Sequence, residues 1–259
     1  MKKSILFIFT ACFLFTTSCS DFLDEEHKTK YSSEYVFGTP EGLKLAVNAL
    51  YALQRYYAND TENATIFALE RGTDLAVTNG GTGNFYGIYA PNYLKPSASQ
   101  VGFMWRTMYQ IIGKANEIIA AAEDLEDTPS LRATVSEAKC FRAQSYFLLY
   151  RTFDRIWLNI QPTTAENVND PRDFHAASEK EVFDLIYEDL EYAITNLDWV
   201  SDEAGRFTQA AARHMKAKAA LWLKDWDTTL EQVEEIEKSG HFDLIALNEV
   251  FNAGDLNHK

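Results

Sequence analysis

The 259-residue chain is short of cysteine, with three, and short of basic residues, with 24 Lys and Arg against 38 Asp and Glu. Both shortages exclude something. Phosphate backbones are held by clustered Lys and Arg, so a formal charge of -14 argues against nucleic acid as a partner, and against an anionic membrane surface for the same reason. Three cysteines build no disulfide framework: Cys12 lies in an N-terminal apolar run, Cys19 closes that run, and Cys140 stands alone in an apolar segment. A small core residue, rather than a reactive thiol, is expected at Cys140. Catalytic signatures are missing as well. There is no G-x-S-x-G elbow, no G-x-x-x-x-G-K-[ST] phosphate loop and no H-E-x-x-H zinc helix, and His27, His175, His214, His241 and His258 have no ligand spacing. The expectation is therefore no enzyme activity, no cofactor and no metal. A glycosidase would need two carboxyls facing across a cleft, whereas pairs such as Glu188 with Glu191 and Glu234 with Glu237 read as solvated helix faces.

Long apolar runs are also lacking, with one exception. Lys2 and Lys3 precede an apolar stretch from Ile5 to Phe15 that is too short to span a bilayer, which is the pattern of a secretory signal. Small residues Thr16, Thr17 and Ser18 then lead into Cys19, an arrangement that resembles a bacterial lipobox, although Thr16 stands where Leu is usual. Residues 1-18 are expected to be a lipoprotein signal peptide and Cys19 the lipidated first residue of the mature chain. The other reading is an ordinary secreted protein cut after Ser18 or Ser20. A polar, charged stretch follows, so residues 19-38 are assigned to a tether and 39-259 to the folded domain.

What is abundant is helical periodicity. Thr39 and Pro40 open a helix striped by Leu43, Val47, Leu50 and Leu53. Val101, Trp105, Met108, Ile112, Ala115 and Ile119 mark a second. From Ser136 to Asp154 the residues are apolar on nearly every side, which predicts a buried helix wrapped by its neighbours. Ser178 and Glu181 form a capping box ahead of a stripe of Phe183, Ile186, Leu190, Ala193, Ile194 and Leu197, with Glu188, Asp189 and Glu191 placed among the polar positions. Two more helices, about 208-224 and 226-238, are joined by a turn at Lys224-Asp225-Trp226 and match a degenerate tetratricopeptide unit. The fold class is all-α, a scaffold of helical-hairpin (tetratricopeptide-like) repeats with long irregular loops.

One of those loops, residues 70-100, carries five glycines and two prolines along with four aromatics, so it is irregular yet rich in groups that order a chain. Sugars present apolar ring faces rimmed by hydroxyls, and this loop supplies both complements. Phe85, Tyr86, Tyr89 and Tyr93 are candidate stacking platforms, and Arg71, Asp74, Asn79 and Asn84 candidate hydrogen-bonding partners. The alternative is that these aromatics only pin a long loop to the helices.

Several stretches taken in order resemble the SusD/RagB family: Cys19 followed by Ser20-Asp21-Phe22-Leu23-Asp24; Trp105, Tyr109, Ile112, Ala115-Asn116 and Ile119; Glu137-Ala138-Lys139 with Arg142-Ala143, Tyr146-Phe147 and Arg151; Ser178 to Val182; and Gly205-Arg206 leading to Lys224-Asp225-Trp226. The resemblance implies a non-enzymatic, surface-exposed outer-membrane lipoprotein that captures oligosaccharides for a SusC-like TonB-dependent transporter. Asp21, Asp24, Glu25 and Glu26 resemble the export signal of such lipoproteins. Two departures stand out. Phe153-Asp154-Arg155-Ile156-Trp157-Leu158 replaces a Gly- and Pro-containing turn, and Thr229 replaces a small Ala. Members also run to about double this length, which leads to the expectation of an N-terminal half only. The competing reading is a helical-repeat interaction protein, or a truncated member without a sugar site.

Overall fold

A computed structural model describes residues 31-59, 99-171 and 174-244. They form seven helices: α1 (Ser33-Gly38), α2 (Pro40-Asn59), α3 (Ser99-Ala122), α4 (Pro129-Thr152), α5 (Glu179-Asn196), α6 (Gln209-Leu223) and α7 (Trp226-Lys238). No strand occurs among the described residues, and the all-helical expectation is borne out.

Local chemistry sets most of the boundaries. The Thr39 hydroxyl accepts from the Gly42 amide at the start of α2, and Thr128 accepts from Leu131 with Pro129 at the first position of α4. That cap starts α4 seven residues ahead of the predicted Ser136. The capping box of Ser178 and Glu181 opens α5 as expected. Thr208 caps α6, Lys224 ends it in the left-handed region at φ 59°, and Asp225 immediately caps α7. Gly240, at φ 68°, follows the end of α7. Residues 33-38, placed above in the tether, are helical as α1 and pack on α2 and α3. Gly42 makes that corner possible, because a Cβ there would sit 2.2 Å from the Tyr35 carbonyl oxygen.

From α2 onward each helix packs on the next, which is the arrangement of stacked helical hairpins. Helix α4 is the hub, touching α2, α3, α5 and α6. Its buried face includes Leu131, Val135, Ala138, Phe141, Tyr146 and Leu149. Leu43, Val47 and Leu50 reach this core from α2, Met108, Ile111, Ile112 and Ala115 from α3, and Val182, Phe183, Ile186 and Leu190 from α5. Cys140 is a buried free cysteine whose thiol is pushed well above its ordinary pKa by burial, so it is kept neutral within the packing. Among the described residues no helix is long and apolar enough to cross a membrane.

Candidate functional site

The sequence-derived ligand residues Arg71, Asp74, Asn79, Asn84, Phe85, Tyr86, Tyr89 and Tyr93 lie outside the described residues, as does Cys19. The described part is the frame that carries the loop. α2 ends at Asn59 and α3 begins at Ser99, and these two helices pack on each other.

Behind this frame is a buried polar network. Asp189, read from the sequence as a polar-face residue, is in fact 0% exposed. It accepts from Lys139 Nζ and from both Nε and Nη2 of Arg142, each at 2.8 Å. A carboxylate so far from water needs such partners, and the fork of Arg142 meets it in two-point geometry. Arg142 Nη1 then donates to Asn116 Oδ1, and Asn116 Nδ2 donates to the Asn159 carbonyl at 2.7 Å. One acid on α5 thus links α4, α3 and the connection after α4. The residues quoted above for the family resemblance, Asn116, Lys139, Arg142 and Tyr146, therefore meet at one place. The readable signal was a pair of cations three residues apart in an apolar helix, which calls for a buried acid on a neighbour.

Two tyrosines hold that connection from beneath. Tyr146 Oη accepts from the Asn159 amide and donates to the Asn159 carbonyl, and Tyr109 Oη does the same for Trp157. Backbone groups of Trp157 and Asn159 are thus satisfied by side chains in a segment that lacks the Gly and Pro of the family turn. Ile156, which is buried, also accepts from the Ala177 amide, closing the connection against the start of α5.

The pinned backbone aligns a strip of five rings. Trp105 packs against Phe153 with centroids 5.0 Å apart and against Tyr109 at 4.8 Å. Tyr109 stacks on Trp157 at 6.5 Å, and Trp157 meets Phe174 at 4.8 Å. Phe174 is 70% exposed, and Trp105, Phe153 and Trp157 are half-buried. Such a strip offers ring faces at a surface with a rigid support behind them. Trp105 was read as a helical-stripe residue and a mark of the family resemblance, and Phe174 was not singled out; their juxtaposition depends on the path of residues 153-178.

A second cluster braces the far side of α4. Tyr51 donates to the Glu137 carboxylate and accepts from the Phe207 amide, while Arg206 Nη1 reaches Glu137 at 3.3 Å and its Nε reaches Glu203 at 2.9 Å. Burial pushes the Glu137 carboxyl above the usual carboxylate range, against the opposing pull of Tyr51 and Arg206. The Tyr51 hydroxyl is raised too, by burial first and by Glu137 second. No group of three His, Cys, Asp or Glu side chains among the described residues could hold a metal ion.

This frame has counterparts in known proteins. Residues 21-221 match the SusD-like family model described as "Starch-binding associating with outer membrane". The chain belongs to the SusD-like family. A SusD-like protein of Bacteroides ovatus is 28% identical over 240 residues, 88% of this chain and 40% of that relative. A SusD-like protein of Formosa agariphila is 27% identical over 252 residues, 94% of this chain and 48% of that relative. Among solved structures, a laminarin-binding SusD-like protein superposes with a TM-score of 0.65 at 25% identity, over 76% of this chain and 43% of the other. A SusD superfamily protein of Bacteroides vulgatus gives 0.69 at 17% identity over 81% and 46%, a likeness of fold. The chain thus spans less than half the length of these relatives.

Proposed function

We propose that the chain is a cell-surface glycan-binding lipoprotein without catalytic activity, lipidated at Cys19, that captures oligosaccharides and delivers them to a SusC-like TonB-dependent outer-membrane transporter. The observation that carries this reading is the family match over residues 21-221, and the family's description supplies both the glycan and the outer membrane. The aromatic strip supports it chemically. Flat rings held at a surface by a hydrogen-bonded backbone suit the apolar faces of sugars, and the loop at 70-100 would add the polar contacts.

Titration calorimetry of the chain against starch, laminarin and xyloglucan oligosaccharides is the test. Binding without release of reducing ends is expected, weakened in Trp157→Ala and Phe174→Ala, and in Tyr86→Ala with Tyr89→Ala if the loop contributes. A folded chain that binds none of them would overturn the reading. Lipidation is checked separately by labelled-fatty-acid incorporation that Cys19→Ser abolishes, and delivery by co-purification with the transporter.

A second reading, a helical-repeat interaction protein without a sugar site, is favoured by one observation. Leu221, Trp222, Trp226, Leu230 and Val233 of α6 and α7 are all exposed, and large apolar side chains exposed on one hairpin suit a protein partner. Partner capture with no glycan binding would select it.

A further inference from the structure

Most cations of the described helices have an acid. Lys139 and Arg142 share Asp189, Arg206 holds Glu137 and Glu203, Lys216 holds Glu191 at 2.6 Å, and Lys238 reaches Glu234 and Glu235. At one place two cations without a carboxylate partner among the described residues share a concavity. A cleft of about 300 Å³ between α2, α4, α5 and α6 is lined by Arg151, His214 and Lys218, and no Asp or Glu among the described residues lines it.

Its floor is apolar, formed by Leu148, Ile186, Leu190 and Met215 among others, and two amides, Gln54 and Gln144, together with Tyr57 add further polar groups. Arg151 and Lys218 have no carboxylate partner among the described residues. Arg151 lies over the Phe147 ring, 4.4 Å from its centroid. Consistent with a cation that is partly desolvated and lacks a counter-ion, the Arg151 guanidinium falls below its ordinary pKa, burial being the largest cause. By contrast, another cleft of similar size, between α1, α2 and α3, is lined by both Lys114 and Glu117.

We propose that the cleft between α2, α4, α5 and α6 binds the carboxylate of an acidic sugar unit, with Arg151 and Lys218 as its charged partners and Gln54 and Gln144 as hydrogen-bonding partners for the ring hydroxyls. A guanidinium offers a carboxylate two parallel donors and an ammonium adds a point charge, whereas a neutral sugar would leave both cations uncompensated. The volume is at the small end for ligand clefts, so one acidic unit is held rather than a long segment. The aromatic strip is lined by other residues, so the two places can be tested apart. The inference rests on the glycan-binding reading above and names a substrate class for it.

The experiment compares two probes on the full chain, a galacturonic acid trimer and its methyl-esterified, uncharged form. The acid trimer is expected to bind, more weakly as NaCl is raised, and to lose about tenfold or more in affinity in the Arg151→Gln, Lys218→Gln double variant, the loss a charge-assisted contact of this class brings. Both positions are exposed, and unchanged helical circular dichroism verifies that the variant is folded. Equal binding of the esterified trimer, or undiminished acid binding by the variant, overturns the proposal and leaves the glycan-binding reading standing. So does binding of laminarin or starch with none of the acid trimer. If no glycan of either kind binds, both fall.

Discussion

The hub of α3, α4 and α5 and the hairpin of α6 and α7 are built from the same kind of element and held in different ways. In the hub, large apolar side chains close over a fully buried acid whose two oxygens accept from Lys139 and Arg142. In the hairpin, α6 buries small residues, among them Ala212, Ala217, Ala219 and Ala220, and α7 buries only Gln232, which accepts from Arg213 Nη1 at 2.9 Å. The large side chains of α7 point away from that contact, with Trp226 57% exposed. Stability is thus concentrated in the middle of the stack and exposed apolar surface at its α6-α7 end.

Substitutions can widen or close that contrast. Asp189→Ala should have the largest effect, about 3-5 kcal/mol lost in urea unfolding, because Lys139 and Arg142 would be left buried without an acid. Tyr146→Phe removes the hydroxyl that serves both backbone groups of Asn159, and about 1-3 kcal/mol should go with it. Ser178→Ala breaks the capping box of α5 at about 1 kcal/mol, read as a lowered thermal midpoint. In the hairpin, Leu230→Ser should change stability by no more than about 0.5 kcal/mol while reducing the binding of a hydrophobic dye. If it destabilised as much as Tyr146→Phe, the contrast would be wrong.

Acidity offers a further comparison, within the hub. Glu137 has a folded pKa above its unfolded value, so its protonated form favours the fold. Its contribution is present below the usual carboxylate pKa and is lost as pH rises through the raised folded value. Wild-type stability should therefore decline across that window, and Glu137→Gln should flatten this part of the profile in a pH series of thermal melts.

The helices and their ends were legible because they rest on local signals. Thr39, Ser178 and Thr208 are side-chain caps that act within three residues, and the stripes of α2, α3 and α5 repeat at the helical period. Asp189 was not legible. In the sequence it sits between Glu188 and Leu190 like any surface acid, and only the approach of α4 takes it out of water. The aromatic strip was hidden for a related reason: Trp105, Trp157 and Phe174 are far apart in the sequence, and their alignment depends on two tyrosine hydroxyls gripping the chain at Trp157 and Asn159. The loop aromatics proposed from sequence stand as candidates beside this strip.

By itself, then, the sequence determined an all-helical stack, the caps that punctuate it, and a run of motifs sufficient to suggest the family, since each of these is written in neighbouring residues. The tertiary structure alone decided which charges are buried and paired, which rings share a surface, and which cations are left facing a cleft without acids. Those properties depend on desolvation and on contacts between distant segments, and neither exists until the helices pack.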